Sequence, residues 1–307
     1  MSRTYDCVIV GGGIAGLQAG IQLGRYQHQT VVIDSNNGRS TLCRNYHNIL
    51  GWPNGVSGET LRNLGEMQAS SYGVQIIKDK VVDIAIENTG ILQITCHSGD
   101  KYFAKKVLLA TGVMDRLPEI NHLIPCLGLS VYVCPDCDGY EVRNKKTIVL
   151  GAGKTGANLA KTIKQWTNSI VYVNHDGDDV DDETKKVLKD QGIEYIKEPI
   201  DSILTGTNET AIEGIKLTSG KVIEGEKGFI AFGGNEVRTD LVKSLGIERM
   251  ENKHITVDPR TKKTSHPNVW AAGDIAVHSE QVTIAMGDGM QAAIWIHKSL
   301  MEDQQKP

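Results

Sequence analysis

Two periods alternate between residues 6 and 34. Residues 7–10 form an unbroken apolar run, glycines follow at positions 11, 12 and 13, and Ile14, Leu17 and Ile21 then recur at helical spacing. A second apolar run over residues 31–33 ends at Asp34. The pattern predicts a strand, a tight turn, a helix and a strand closed by an acid. Within Gly11-x-Gly13-x-x-Gly16, Gly11 allows the turn, Gly13 admits a close pyrophosphate and Gly16 lets the helix pack on the strand. Phosphates belong at the helix N-terminus, beside Ala15, and Asp34 is suited to a ribose hydroxyl.

The same alternation returns over residues 146–174, with Gly151, Gly153 and Gly156 at the turn. Gly11 and Gly151 are 140 positions apart, the length of a domain. Counting on from each first glycine, Asp34 in the first copy is matched by Asn174 in the second, so the ribose acid is missing there. Three further stretches suit the first copy. Residues 107–113 read as a strand ending at Thr111-Gly112, where backbone can pass a cofactor closely. Residues 268–276 read as a strand ending at Gly273-Asp274. From Gln281 and Val282 a helix follows, with apolar positions at Val282, Ile284, Met290, Ala293 and Ile294. The reading is α/β: two doubly wound, Rossmann-like nucleotide-binding domains, the second inserted into the first. The first is expected over 1–115 and 245–307, the second over 116–244.

Composition narrows the partners. The 307 residues carry a net charge of −4 and 5% aromatics, so neither a basic stripe for phosphates nor a stacking platform is expected, and nucleic acid is excluded as a partner. No apolar run approaches the roughly 20 residues needed to span a bilayer. A strand pattern starts almost at residue 1, leaving no room for a signal peptide, and a cytoplasmic protein is expected. There an even count of six cysteines does not imply a disulfide framework. Cys7, Cys96 and Cys126 read as buried small hydrophobes. Cys43 lies in a polar loop and could be exposed. Cys134 and Cys137 stand two residues apart in "CPDCDG".

The order of motifs is GxGxxG with an acid, ATG, CPDCDG, a second glycine turn, then AAGD before a helix opened by Gln281. Over nearly the whole chain it resembles low-molecular-weight thioredoxin reductases and their thioredoxin-reductase-like relatives. The resemblance implies FAD in the first domain, NADPH in the inserted one, and a homodimer. It places Gly273, Asp274 and Gln281 against the flavin. It makes Cys134 and Cys137 the redox pair, with Cys137 nearer the flavin and Cys134 attacking the partner disulfide, and Asp138 their acid. The residues agree. Structural zinc needs four ligands and no second CxxC exists, so no metal is expected. A disulfide across so short a loop constrains the unfolded chain little. A CxxC pair that opens and closes, with Asp138 to exchange its proton, uses the motif fully.

The pattern breaks at the second nucleotide turn. The NADPH-using relatives end the second strand in His-Arg-Arg and carry a further Arg four residues on, and the three arginines hold the 2′-phosphate; here the aligned positions are Asn174, His175, Asp176 and Val180, the last three within "HDGDDVDDE". NADPH is therefore expected to be a poor donor, and Asn174 does not favour NADH either. Some relatives take electrons from ferredoxin or a second flavin. Others are dithiol oxidases, which close disulfides in small molecules and pass electrons to oxygen. The segment 43–61 resembles the histidine-bearing loop of that oxidase-like branch, and His47 could be a base near the flavin or a packing residue. Four readings stay open: a flavoprotein disulfide oxidoreductase acting on a thioredoxin-like protein or a small disulfide or dithiol, an ordinary NAD(P)H-dependent thioredoxin reductase, a dithiol oxidase acting on a small molecule with oxygen, and a flavin-binding redox sensor.

Overall fold

The computed structural model describes residues 3–305 and divides into two compact units. The first comprises the chain up to Thr41, Ser57–Met114, and everything from Glu236 on. The second comprises Leu42–Val56 and Asp115–Asn235.

In the first unit the strand Thr4–Val10 lies between Thr30–Asp34 and Lys101–Leu109, parallel to both. Gln75–Lys78 extends the sheet on one side, and Leu92–Cys96 and Val81–Ile86 extend it on the other as an antiparallel meander. Val269–Ala271 returns from late in the chain and pairs with Lys101–Leu109, Val269 opposite Val107. Central strands covered on both faces are expected to be continuously apolar, which is the pattern of residues 7–10. Val8 and Val10 pack into one core with Val31, Ile33 and Val107, while Cys7 and Ile9 face the other with Val32, Leu108 and Trp270.

That second core is closed by the helices Ile14–Arg25 and Val282–Gln305. The late helix turns a different face inward from the one its apolar residues suggest. Val282 and Ala293 are buried, but Ile284, Met290 and Ile294 are only half-buried, and Ala285, Gly289, Ala292, Ile296 and Leu300 complete the inward stripe. Small residues win because the two helices touch backbone to backbone: a Cβ added to Gly289 would lie 2.1 Å from the Ala15 carbonyl oxygen.

The second unit holds a five-stranded parallel sheet in the order Glu194–Lys197, Ile170–Asn174, Thr147–Gly151, Lys227–Ala231, Val131–Tyr132. An antiparallel meander of Ile200–Thr205, Ile212–Leu217 and Val222–Glu224 accompanies it. Two segments group differently from the expected ranges. Residues 42–56 close on themselves through paired Tyr46 and Val56 backbones and belong to the second unit, whereas Glu236–Val237 pairs with Val113–Met114 in the first. Neither pairing has a local sequence signal. Among the described residues no helix is long and apolar enough to cross a membrane.

Candidate active site

The first glycine turn is built at three contacts. Gly11 has φ +107° and a Cβ there would meet the Ala110 carbonyl at 2.3 Å; one on Gly16 would meet the Gly11 carbonyl oxygen at 1.9 Å. Gly13 instead faces open space, with nothing within 4 Å, and it precedes the helix without a side-chain cap. Uncapped amides at a helix start with room above them fit a pyrophosphate. Ala15 lies under Gly273, whose φ is +78° and whose Cβ would come within 2.9 Å of the Ala15 methyl.

Asp34 closes the cradle, but it is more engaged than a ribose acid needs to be. One carboxylate oxygen accepts the Gly12 N–H at 3.0 Å and the other accepts from Arg62 at 2.8 Å. Both side chains of that ion pair are buried. Arg62 also donates to Asn36 at 2.6 Å. Thr111 donates its hydroxyl to the Arg238 carbonyl at 2.5 Å, and Gly112 takes φ +68° facing open space. The Asp274 carboxyl is raised by burial against the pull of Arg39, which lies 3.2 Å away and also binds Glu280. The Gln281 carbonyl accepts the Ala285 N–H and starts the last helix, with Val282 buried beside it.

Sequence reasoning missed Arg62, Arg39 and a buried cluster at Asp288. Asp288 accepts from His278 at 2.5 Å, Lys262 at 2.8 Å and the Gly273 N–H at 3.2 Å. Burial would raise its carboxyl, but the bonds from His278 and Lys262 hold it below the usual range. The stripe of small residues Gly58, Gly65 and Ala69 marks the buried helix face that carries Arg62, but not the charge on it.

In the second unit Cys134 and Cys137 form a disulfide with Cα atoms 5.3 Å apart, a normal separation. Pro135 opens the single helical turn Pro135–Asp138, and the Cys137 N–H points at the Cys134 sulfur at 3.2 Å. The next residue has to be small. A Cβ on Gly139 would lie 2.5 Å from the Trp166 ring. Asp138 is pushed up to about 6 by burial, against the attraction of His47. The His47 Nδ1 is 3.7 Å from Asp138 and 3.8 Å from Glu141. Cys43 is half-buried, and burial pushes its thiol up to about 12. Cys7, Cys96 and Cys126 are buried, as their apolar settings suggest.

The second glycine turn repeats the packing but not the opening. Gly151 abuts the Ala231 carbonyl, and a Cβ on Gly156 would collide with the Tyr172 ring at 2.4 Å. The Gly153 N–H is taken by the Asn174 side chain at 3.0 Å, and the Asp178 Cβ stands 3.0 Å from where a Gly153 Cβ would be. His175 turns inward, its Nδ1 accepting the Ile200 N–H at 2.8 Å. The acidic loop is less bare than its sequence implies: Asp176 pairs with Arg116 at 2.9 Å, Asp179 with Lys197 at 3.4 Å and Asp181 with Lys154 at 2.7 Å. Such exposed pairs are worth little, but they temper the expected repulsion. The cavity beside this turn, lined by Arg116, Thr155, Phe232 and Asn235, holds about 190 Å³.

Comparison with known proteins follows the same lines. The family model described as pyridine nucleotide-disulphide oxidoreductase matches residues 5–289. The thioredoxin reductase of Treponema pallidum is 28% identical over 304 residues, covering 95% of this chain and 96% of that one. TrxB of Bacillus anthracis superposes with a TM-score of 0.85 at 27% identity, covering 98% of this chain and 99% of the other. HlmI superposes at 0.88 with 25% identity, covering 99% and 95%.

Proposed function

The chain belongs to the pyridine nucleotide-disulphide oxidoreductase family, and from that premise we propose that it is an FAD-dependent thiol/disulfide oxidoreductase working through Cys134 and Cys137. The observation that carries this is the bonded pair itself, with a buried carboxyl raised to about 6 immediately after it. FAD would be held by the open turn at Gly13, by Asp34, and by the Thr111–Gly112, Gly273–Asp274 and Gln281–Val282 corners. When bound it supplies two-electron exchange with a thiol pair.

The chain's own residues do the rest. In the opened pair the Cys137 amide at the Cys134 sulfur favours a thiolate on Cys134. That thiolate attacks a substrate disulfide, and Asp138 gives its proton to the leaving sulfur. Cys137 then closes on Cys134 and expels the second thiol. An acid titrating near 6 is matched to this task at neutral pH, where it both holds and releases a proton. The substrate is a thioredoxin-like protein or a small disulfide or dithiol, and relatives named thioredoxin reductase support the first. The protein is expected to act as a cytoplasmic homodimer.

The donor is a separate part of the proposal. The occupied Gly153 amide and the missing arginines support a donor other than NADPH: ferredoxin, a second flavin, or a dithiol substrate in the reverse direction. Anaerobic dithionite titration tests the central reading. The wild type should take up about two electron pairs per subunit, one for flavin and one for the disulfide, and Cys137→Ser only one. Equal uptake by the two proteins would remove the pair from the chemistry.

A further inference from the structure

His47 lies on a loop that is held shut from both sides. The Tyr46 and Val56 backbones exchange hydrogen bonds of 2.7 and 3.1 Å across its neck. Gly55, at φ +76°, leaves room for the Asn45 side chain; a Cβ there would come within 2.2 Å of the Asn45 oxygen. Asn45 thus placed lies 2.9 Å from the His47 Nε2 through its amide nitrogen. With the amide nitrogen donating, Nε2 accepts, and this contact assigns the ring proton to Nδ1. Nδ1 is the atom that faces Asp138 at 3.7 Å and Glu141 at 3.8 Å.

Resting on the thiol/disulfide reading above, we propose that His47 is a positioning residue for Asp138: its Nδ1 faces the carboxyl across 3.7 Å, and the two groups together store the proton that Cys134 sheds. The need for such a store follows from the balance of the reaction. Two enzyme thiols are oxidised and one substrate disulfide is reduced, so two protons must reach the products. One is shed when Cys134 ionises, before any leaving group exists to take it. Asp138 receives it, with His47 beside it, and delivers it when the substrate S–S bond breaks and the Cys134–substrate bond forms. The second proton comes from Cys137 as the enzyme disulfide closes and the second thiol departs.

Other groups face Asp138 without substituting for His47. Glu141 opposes ionisation and Lys227 favours it, but Lys227 is bound to the Tyr132 hydroxyl at 2.8 Å and the Leu129 carbonyl at 3.1 Å. Tyr132 and Cys43 are raised by burial and stay neutral at pH 7.

The test uses holoprotein labelled with carboxyl-¹³C aspartate, with the Cys134–Cys137 bond intact and no turnover. Asp138 is assigned from Asp138→Asn, and its titration is followed in the wild type and His47→Gln, with His47→Asn in reserve should Gln fail to fold. A ring N–H turned toward the carboxyl favours its ionised form, so removing it should move the Asp138 midpoint upward by about one pH unit. Reduced holoprotein is then mixed with 5,5′-dithiobis(2-nitrobenzoate), and the pH–rate profile should shift by the same amount. On the wild type alone, long-range ¹H–¹⁵N correlation should show the His47 proton on Nδ1. An Nε2–H tautomer, an unmoved midpoint, or a moved midpoint with an unmoved rate profile would each overturn the proposal. The dithionite titration judges the redox reading separately, so the two failures are distinguishable.

Discussion

Arg62 carries a full charge into a helix face made of Gly58, Gly65 and Ala69, and it is acceptable there because Asp34 and Asn36 receive it. Removing one member of a buried pair strands the other charge, at a cost of roughly 3–5 kcal/mol. Arg62→Leu should therefore lower the urea midpoint far more than the near-zero effect of a surface substitution. Denaturation of wild type and variant, both free of flavin, checks this. A change below about 1 kcal/mol would mean that the Asp34 carboxylate finds another partner. The same pair limits what Asp34 can offer a ribose, since the Gly12 amide and Arg62 already occupy both of its oxygens.

At the scale of elements, two glycine turns of one sequence pattern begin helices with different openings. Ile14–Arg25 starts beneath free space at Gly13, whereas Gly153–Ile163 starts with its first amide bonded to Asn174 and Asp178 alongside. Charge-assisted phosphate contacts are worth about 1.5–3 kcal/mol each, so on the proposed reading three missing arginines should weaken NADPH roughly a thousandfold or more. Anaerobic stopped-flow mixing should show neither NADPH nor NADH bleaching the flavin at micromolar concentration. Fast bleaching by NADPH would make this an ordinary reductase. The glycines were legible because a strand–turn–helix writes its needs within six residues: Gly11, Gly16, Gly151 and Gly156 all meet neighbours that forbid a side chain. What was not legible lies across long separations. The Asp288 cluster draws on Lys262, and Arg62 reaches Asp34 from 28 residues away, so neither buried charge can be foreseen before its partner is placed. The inward face of the last helix is hidden for a related reason: apolar residues mark a core, but only backbone contact selects glycine and alanine over isoleucine.

At the scale of the whole molecule, a cofactor that binds only folded protein raises its stability by mass action, about 2.7 kcal/mol at a hundredfold excess over Kd. For units of this size that corresponds to a Tm rise of roughly 5–10 °C. Calorimetry of flavin-free protein with and without added FAD should show it, and Cys134→Ser/Cys137→Ser should retain it, because the cradle lies wholly in the first unit. An unchanged Tm would argue against the FAD cradle. The path of the chain has a consequence of its own. The second unit is not one insertion but two, Leu42–Val56 and Asp115–Asn235, threaded through three segments of the first. For recombination this divides an inheritance: a crossover pair at 114/115 and 235/236 would carry away both cysteines, Asp138 and Glu141, and leave His47 in the donor. A protein acquiring the disulfide that way would receive Asp138 without the imidazole that stands 3.7 Å from it here.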